Sequence, residues 1–171
     1  MSHQKNKFGT DRPVGPTHRI ESLTAALSFR ISRLSAINER LGAHHFRNEM
    51  GVTLSEWRVL ALAAEGDPAT TIAVRETLLL DRGLLSRIVK GLSDRGLLVS
   101  EASPTDKRQT QLLLTADGWD LHERCIAFTN ERNTYMASVL NPYERTEFER
   151  MLDLLIKHNT KLLRLRNLSN D

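Results

Sequence analysis

The change of hydrophobic period near residue 97 constrains the fold of this chain more than any other feature. Elsewhere, apolar residues recur at three- and four-residue steps, which indicates helices. Near residue 97 the run Leu97-Leu98-Val99 leads into a polar turn at 103–108, and Thr110, Leu112 and Leu114 alternate on the way back. Alternation around a turn that contains proline and aspartate predicts a two-stranded hairpin. The sequence therefore predicts a mainly α fold with a small β-hairpin.

Start and stop signals divide the rest of the chain into helices. Thr53 and Glu56 form a capping box, and Asp81 supplies another N-cap. Gly96 is in the C′ position of the helix that Asp81 begins, and Asn141-Pro142-Tyr143-Glu144 is a strong helix start. The predicted helices cover residues 19–42, 54–65, 71–78, 82–95, 116–139 and 142–166.

The lengths of these helices predict how the chain is organised. Residues 51–115 form a compact three-helix unit with a two-stranded wing. The helical segments 19–50 and 116–171 are too long to bury their apolar faces inside so small a unit, so we expect them to pack against a second copy in a homodimer. Residues 1–18 contain glycine and two prolines without periodicity, and we expect a flexible N-terminal arm.

Composition narrows the class of protein. The single cysteine among 171 residues cannot form an internal disulfide, which favours a reducing compartment. No apolar run reaches the ~18 residues of a membrane span, and the first twenty residues contain no secretory signal. We therefore expect a cytoplasmic protein without a membrane partner. The net charge of +3 says little about partners unless the basic residues are clustered.

The predicted helix Arg82–Arg95 has two chemically different faces. Its apolar residues share one face and are expected to point into the core: Leu85, Ile88, Val89 and Leu92. The opposite face is small or cationic and carries no carboxylate: Gly83, Ser86, Arg87 and Lys90. Small residues permit close approach to another molecule, and an arginine can bind guanine or phosphate through two hydrogen bonds. In isolation, such a stripe is more typical of a solvated helix face.

The neighbouring elements favour DNA binding over a solvated face. The helix at 71–78 is joined to this one by about three residues, which is helix-turn-helix spacing. Lys107 and Arg108 lie at or near the tip of the hairpin, where a basic pair can enter a flanking minor groove. The predicted contacts to double-stranded DNA are Arg82, Gly83, Ser86, Arg87, Lys90, Lys107 and Arg108.

Several stretches of this lobe resemble the MarR (multiple antibiotic resistance regulator) family. They are Thr53–Leu60, Leu80–Arg87, Arg95–Leu98, Pro104–Arg108 and Leu114–Gly118. The resemblance implies a homodimeric winged helix-turn-helix repressor or activator that binds pseudo-palindromic operators. It also implies a small effector, often phenolic or another aromatic acid, that changes the affinity for DNA.

The resemblance also implies roles for single residues. Ser86, Arg87 and Lys90 would face bases and phosphates, and Asp106 would brace the wing by pairing with Arg108. Gly83 stands where the family commonly has a side-chain oxygen, which implies one missing contact. Leu79 occupies a turn position often held by glycine, where a left-handed backbone would cost about 1–2 kcal/mol. We therefore expect the turn to be built differently here.

Catalysis is not predicted, because the sequence contains no glycine-rich phosphate loop, GxSxG or HExxH motif.

Cys125, next to Arg124 and near His122, could be a redox switch with a lowered pKa, although a lone helical cysteine is usually a small buried hydrophobe. His44 and His45 could bind zinc together with His122 and Cys125, but four ligands are not evident. No metal or cofactor is predicted.

One stripe of the helix at 116–139 is apolar with polar interruptions, and Trp119, His122 and Ile126 belong to it. It could line an effector cleft, or it could be core or part of a dimer interface. A different function also stays open: a winged-helix protein-interaction module whose basic face binds an acidic partner without specific DNA binding.

Overall fold

A computed structural model describes residues 20–66, 69–103 and 109–168 of the chain. A short 3-10 turn at Leu23–Ala25 precedes the first α-helix. The elements that follow are α1 (Leu27–Asn48), α2 (Leu54–Glu65), α3 (Thr71–Leu78), α4 (Arg82–Asp94), β1 (Leu98–Ala102), β2 (Thr110–Leu114), α5 (Ala116–Ala137) and α6 (Pro142–Leu168). The prediction of a mainly α fold with a small β-hairpin is confirmed.

The described chain divides into two compact units. The larger is Leu23–Asn133, and the other contains the remaining described residues, among them α6. No described helix combines the length and the apolar character that crossing a bilayer requires.

The first helix begins at Leu27, not at residue 19, and it does not end near Gly42, as the glycine suggested, but continues to Asn48. Gly42 is buried, and the guanidinium of Arg132 from α5 occupies the space that a side chain at this position would need. Nη2 of Arg132 donates to the carbonyl oxygen and to Oδ1 of Asn38, and the guanidinium lies over the ring of Phe128. The glycine therefore permits a close contact between α1 and α5 and does not terminate α1.

The capping predictions are confirmed. The hydroxyl of Thr53 accepts from the amide of Glu56 at 3.2 Å, and Glu56 accepts from the amide of Thr53 at 2.7 Å. Asp81 Oδ1 accepts from the amide of Leu84 at 2.8 Å, which fixes the start of α4. Helix α4 ends at Asp94, one residue before the predicted end, and Gly96 follows with a φ of 69°.

The two strands pair antiparallel, with Leu98 opposite Leu114 and Ala102 opposite Thr110. Ala69 and Thr70 extend the sheet: the amide of Leu112 donates to the carbonyl of Ala69 at 2.8 Å. The core of the larger unit lies among α1, α2, α4, α5 and the hairpin. Its most completely buried large side chains are Phe46, Val52, Val59, Leu60, Leu92, Leu98 and Leu112. This core supports the underside of α4.

Candidate nucleic-acid interface

Helices α3 and α4 form the predicted helix-turn-helix, and Leu79 makes the turn between them. Leu79 has φ 53° and ψ 38°, which is the left-handed helical region. Its amide donates to the carbonyl of Arg75, and the amide of Leu80 donates to the same carbonyl at 3.1 Å. The expectation of a differently built turn was therefore wrong. The protein accepts a leucine in a conformation that costs a non-glycine residue about 1–2 kcal/mol.

The two faces of α4 are divided as the sequence predicts. Leu85, Ile88 and Leu92 are buried in the core, and Val89 is half-buried. The residues predicted to contact DNA from α4 are all exposed: Arg82, Gly83, Ser86, Arg87 and Lys90. The apolar stripe thus holds the helix against the lobe and leaves the small and cationic residues accessible.

The C-terminal end of α4 is held by Arg95, which the sequence reading did not single out. Nη2 of Arg95 donates to the carbonyl of Gly51 at 2.8 Å, and Nη1 lies 3.4 Å from Oε1 of Glu56. Glu56 is also the carboxylate of the α2 capping box. One side chain therefore joins the end of α4 to the start of α2 and to the loop before it.

The cations of the exposed α4 face are not in equivalent surroundings. Within the described chain, Arg82 and Arg87 have no carboxylate within ion-pair distance, whereas Nζ of Lys90 lies 2.6 Å from Oδ2 of Asp94. The space beside Gly83 is narrow, because a Cβ at this position would lie 3.3 Å from Oδ1 of Asp81, the N-cap residue of α4.

A groove of about 600 Å³ lies beside α4, between α3 and the part of the hairpin nearer its turn. Arg82, Ser86 and Lys90 line one wall, and Arg75 of α3 adds a further cation. The remaining lining residues are mostly hydroxyl or amide side chains, including Ser100 of β1. The groove is therefore a concave, positively charged surface with many hydrogen-bonding groups. The predicted wing residues Asp106, Lys107 and Arg108 lie outside the described residues.

The three candidates for an effector pocket lie near one another at the start of α5, beside the core. The rings of Trp119 and His122 meet edge to face with 5.5 Å between centroids, and His122 lies 5.4 Å from the ring of Trp57. Trp119 is 46% exposed, whereas Ile126 packs against the core. Trp57 was missed as a neighbour of these residues, because contact between α2 and α5 has no local signal in the sequence.

Cys125 is fully buried, and burial raises the pKa of its thiol to about 11, against the opposing effect of Arg124. A lowered pKa, which the neighbouring Arg124 and His122 suggested, is therefore wrong. A thiol with this pKa is protonated at neutral pH, and it lacks the thiolate that redox sensing needs.

Cys125 is expected to resist alkylation in the folded protein. The pKa of this thiol lies two units above the ordinary value of 9.0, so at pH 7.5 it has about a hundredfold less thiolate than a cysteine with the ordinary pKa. Iodoacetamide labelling followed by mass spectrometry should therefore be at least about a hundredfold slower in buffer than in 8 M urea. The labelling rate should increase with pH throughout the range in which the protein remains folded. Equal rates in buffer and in urea would contradict the buried position.

Two of the histidines considered for zinc, His44 and His45, make contacts with other side chains. His44 Nε2 and the Asn48 side-chain amide lie 2.8 Å apart, and the ring of His45 stacks on Phe128 with 3.5 Å between centroids. Nδ1 of His45 lies 3.0 Å from Glu49. In the described ranges, no three histidine, cysteine, aspartate or glutamate side chains are grouped so that they could hold a metal ion.

Comparison with known proteins matches this lobe to a family. Residues 50–109 match the model of the MarR family. The chain is 29% identical over 79 residues to the organic hydroperoxide resistance transcriptional regulator of Bacillus subtilis, an alignment that covers 46% of this chain. That alignment spans 54% of the Bacillus protein, about half of its length.

Solved structures share the fold over most of the chain. The PcaV transcriptional regulator of Streptomyces coelicolor, solved with its natural ligand, has a TM-score of 0.68 and 23% identity, and the match covers 81% of this chain and 96% of PcaV. CouR of Rhodococcus jostii, solved with p-coumaroyl-CoA, has a TM-score of 0.71 and 22% identity over 80% of this chain and 94% of CouR. These structures show that the chain shares their winged-helix fold, and residues 50–109 are similar to the MarR family.

Proposed function

We propose that this protein is a homodimeric transcription regulator, a repressor, that binds double-stranded DNA sequence-specifically and responds to a small effector. The observation that carries the proposal is the exposed face of α4, where Arg82 and Arg87 have no carboxylate partner in the described chain. A helix with a small, cationic and accessible face fits the major groove, where arginine binds guanine through two hydrogen bonds.

The proposed DNA contacts come from three places in the lobe. Arg82, Gly83, Ser86, Arg87 and Lys90 on α4 would contact bases and phosphates in the major groove. In the wing, Lys107 and Arg108 would contact the flanking minor groove, with Asp106 bracing Arg108. The groove beside α4 is lined with cations and hydroxyls that suit phosphate oxygens.

The proposed homodimer rests on apolar surface that a single chain leaves exposed. On α1, Leu27, Ile31, Leu34, Ile37 and Leu41 are 42–68% exposed and share one face. On α6, none of the residues 142–166 is buried, although one face is apolar. We propose that segments 19–50 and 116–171 form the dimerisation region and that 51–115 is the DNA-binding lobe. Residues 1–18, predicted as an arm, lie outside the described chain.

The proposed effector is a phenolic or aromatic acid that binds near Trp119, His122 and Ile126. Trp119 offers a half-exposed ring and His122 a polar group beside it, a combination that suits an aromatic ring with a polar substituent. CouR, of the same fold, was solved with p-coumaroyl-CoA, which contains a phenol. The effector would favour a dimer whose recognition helices no longer match half-sites about 34–36 Å apart.

Replacing Arg87 with alanine is expected to weaken binding to an operator selected from random duplexes by about 1–3 kcal/mol and to relax its sequence preference. Fluorescence anisotropy with operator and random duplexes measures both effects. Arg150→Ala is the control, because Arg150 is an exposed arginine paired with Glu147 on α6.

Equal operator affinity of Arg87→Ala and the unaltered protein would contradict the proposed interface. A salt titration tests the function itself, because a DNA-binding protein loses affinity linearly on a log–log plot. No binding to any duplex at low salt would favour a module that binds an acidic protein.

A further inference from the structure

Lys90, one of the cations on the exposed face of α4, forms an ion pair with a carboxylate of the same helix. Nζ of Lys90 lies 2.6 Å from Oδ2 of Asp94, and both side chains are exposed, 73% and 62% respectively. Asp94 is the last residue of α4. Lys90 also lines the groove beside α4, so the negative charge of Asp94 is held next to the surface that would meet phosphates.

The stability of α4 does not account for this arrangement. A carboxylate in the last turn of a helix lies near the negative end of the helix dipole, which is unfavourable. The order of the pair, with the lysine four residues before the acid, is the less stabilising of the two possible orders. An exposed pair of this kind also contributes little to folding. The position of Asp94 is therefore better explained by its effect on Lys90.

The other exposed cations of α4 provide the contrast. Within the described residues, Arg82 and Arg87 have no carboxylate partner, so neither has to break an ion pair before it meets DNA. Lys90 has to leave Asp94 before its ammonium can contact a phosphate.

We propose that Asp94 restrains the binding of phosphate by Lys90 and thereby lowers the affinity for DNA of any sequence. The proposal rests on the proposed DNA-binding function and adds a residue that regulates its strength. Sequence-independent affinity increases with the number of phosphates that cations neutralise, and each neutralised phosphate steepens the salt dependence. A lysine that is paired with a carboxylate of its own helix contributes less to the affinity for DNA than a lysine that is free to bind a phosphate. Operator and random duplexes are affected alike, because a phosphate contact carries no sequence information.

The test compares Asp94→Asn with Asp120→Asn. Asp120 is an exposed aspartate in an i,i+4 ion pair with Arg124 on α5, so both variants lose one negative charge and one surface ion pair. Asp94→Asn should bind a random duplex about fivefold more tightly than the unaltered protein, with a log–log salt slope that is steeper by at most about 0.9. Asp120→Asn should change neither quantity appreciably.

A double variant identifies the group through which Asp94 acts. In Lys90→Ala/Asp94→Asn, the gain in affinity over Lys90→Ala should disappear, because the restrained cation is absent. Equal affinities of Asp94→Asn and Asp120→Asn would overturn the inference, and so would a gain that persists without Lys90. Failure of the unaltered protein to bind any duplex at low salt overturns the proposed function and this inference with it.

Discussion

Replacing Gly118 with alanine is expected to lower the free energy of unfolding by about 3 kcal/mol. Gly118 is buried in the first turn of α5, and an added Cβ would collide with the carbonyl oxygen of Leu97. It would also lie 3.1 Å from the carbonyl carbon of Leu97 and 3.3 Å from Cβ of Leu114. Because the main obstacle is backbone, no side-chain rotation can relieve it, and α5 would have to move away from the hairpin.

Gly91→Ala is the matched control for this substitution. Gly91 lies inside α4, and a Cβ there would meet no atom within 4 Å. Alanine at this helical position should raise the free energy of unfolding by about 0.5–1 kcal/mol. Urea unfolding followed by circular dichroism measures both variants. If Gly118→Ala is as stable as the unaltered protein, the close packing of α5 on the hairpin is wrong.

Replacing Leu155 with aspartate is expected to dissociate the proposed dimer and to abolish binding to a two-site operator. Leu155 belongs to the apolar face of α6 with Phe148, Leu152 and Leu162, and Phe148 is 38% exposed in the single chain. A dimer would bury two unpaired carboxylates, which should raise its dissociation constant by about a thousandfold. Sedimentation velocity at micromolar concentration should then show a monomer.

Thr146→Asp serves as the control for the dimer, since it adds the same charge on the polar side of α6, opposite Leu155. This variant should keep the mass of a dimer and the operator affinity of the unaltered protein. A monomeric mass for the unaltered protein would contradict the proposed assembly. A dimeric mass for Leu155→Asp would place the interface elsewhere on the chain.

The starts of the helices after α1 and the position of the hairpin could be predicted because their signals are local. The caps at Thr53 and Asp81 depend on residues three positions apart, and the change from a helical period to alternation marks the hairpin. The division of α4 into a buried apolar face and an exposed polar face follows from the same periodicity, so the exposure of Arg87 and Lys90 could also be predicted from the sequence.

Contacts between elements that are distant in sequence were not predictable. Gly42 has the appearance of a helix end, yet α1 continues because Arg132, ninety residues away, fills the space beside it. The neighbourhood of Cys125 suggested a lowered pKa, but burial in the folded core outweighs Arg124. The pairing of Trp57 with His122 likewise requires knowledge of how α2 meets α5.

Leu79 illustrates a different limit of sequence reasoning. The backbone preference of leucine argued against a left-handed conformation at this position, but Leu79 adopts that conformation in the folded protein. The capped start of α4 and the buried Leu85 and Leu92 determine the path of the chain on one side of the turn. Packing of the lobe therefore outweighs the local cost of one residue.

The contact between Arg132 and Asn38 has a consequence for how the protein responds to acid and to salt. The acceptors on α1 are the side-chain amide and the peptide carbonyl of Asn38, neither of which gains a proton at any pH that proteins tolerate. The attachment of α1 to α5 at this point should therefore survive acidification and high ionic strength better than a surface arginine–carboxylate pair, whose strength falls under both conditions.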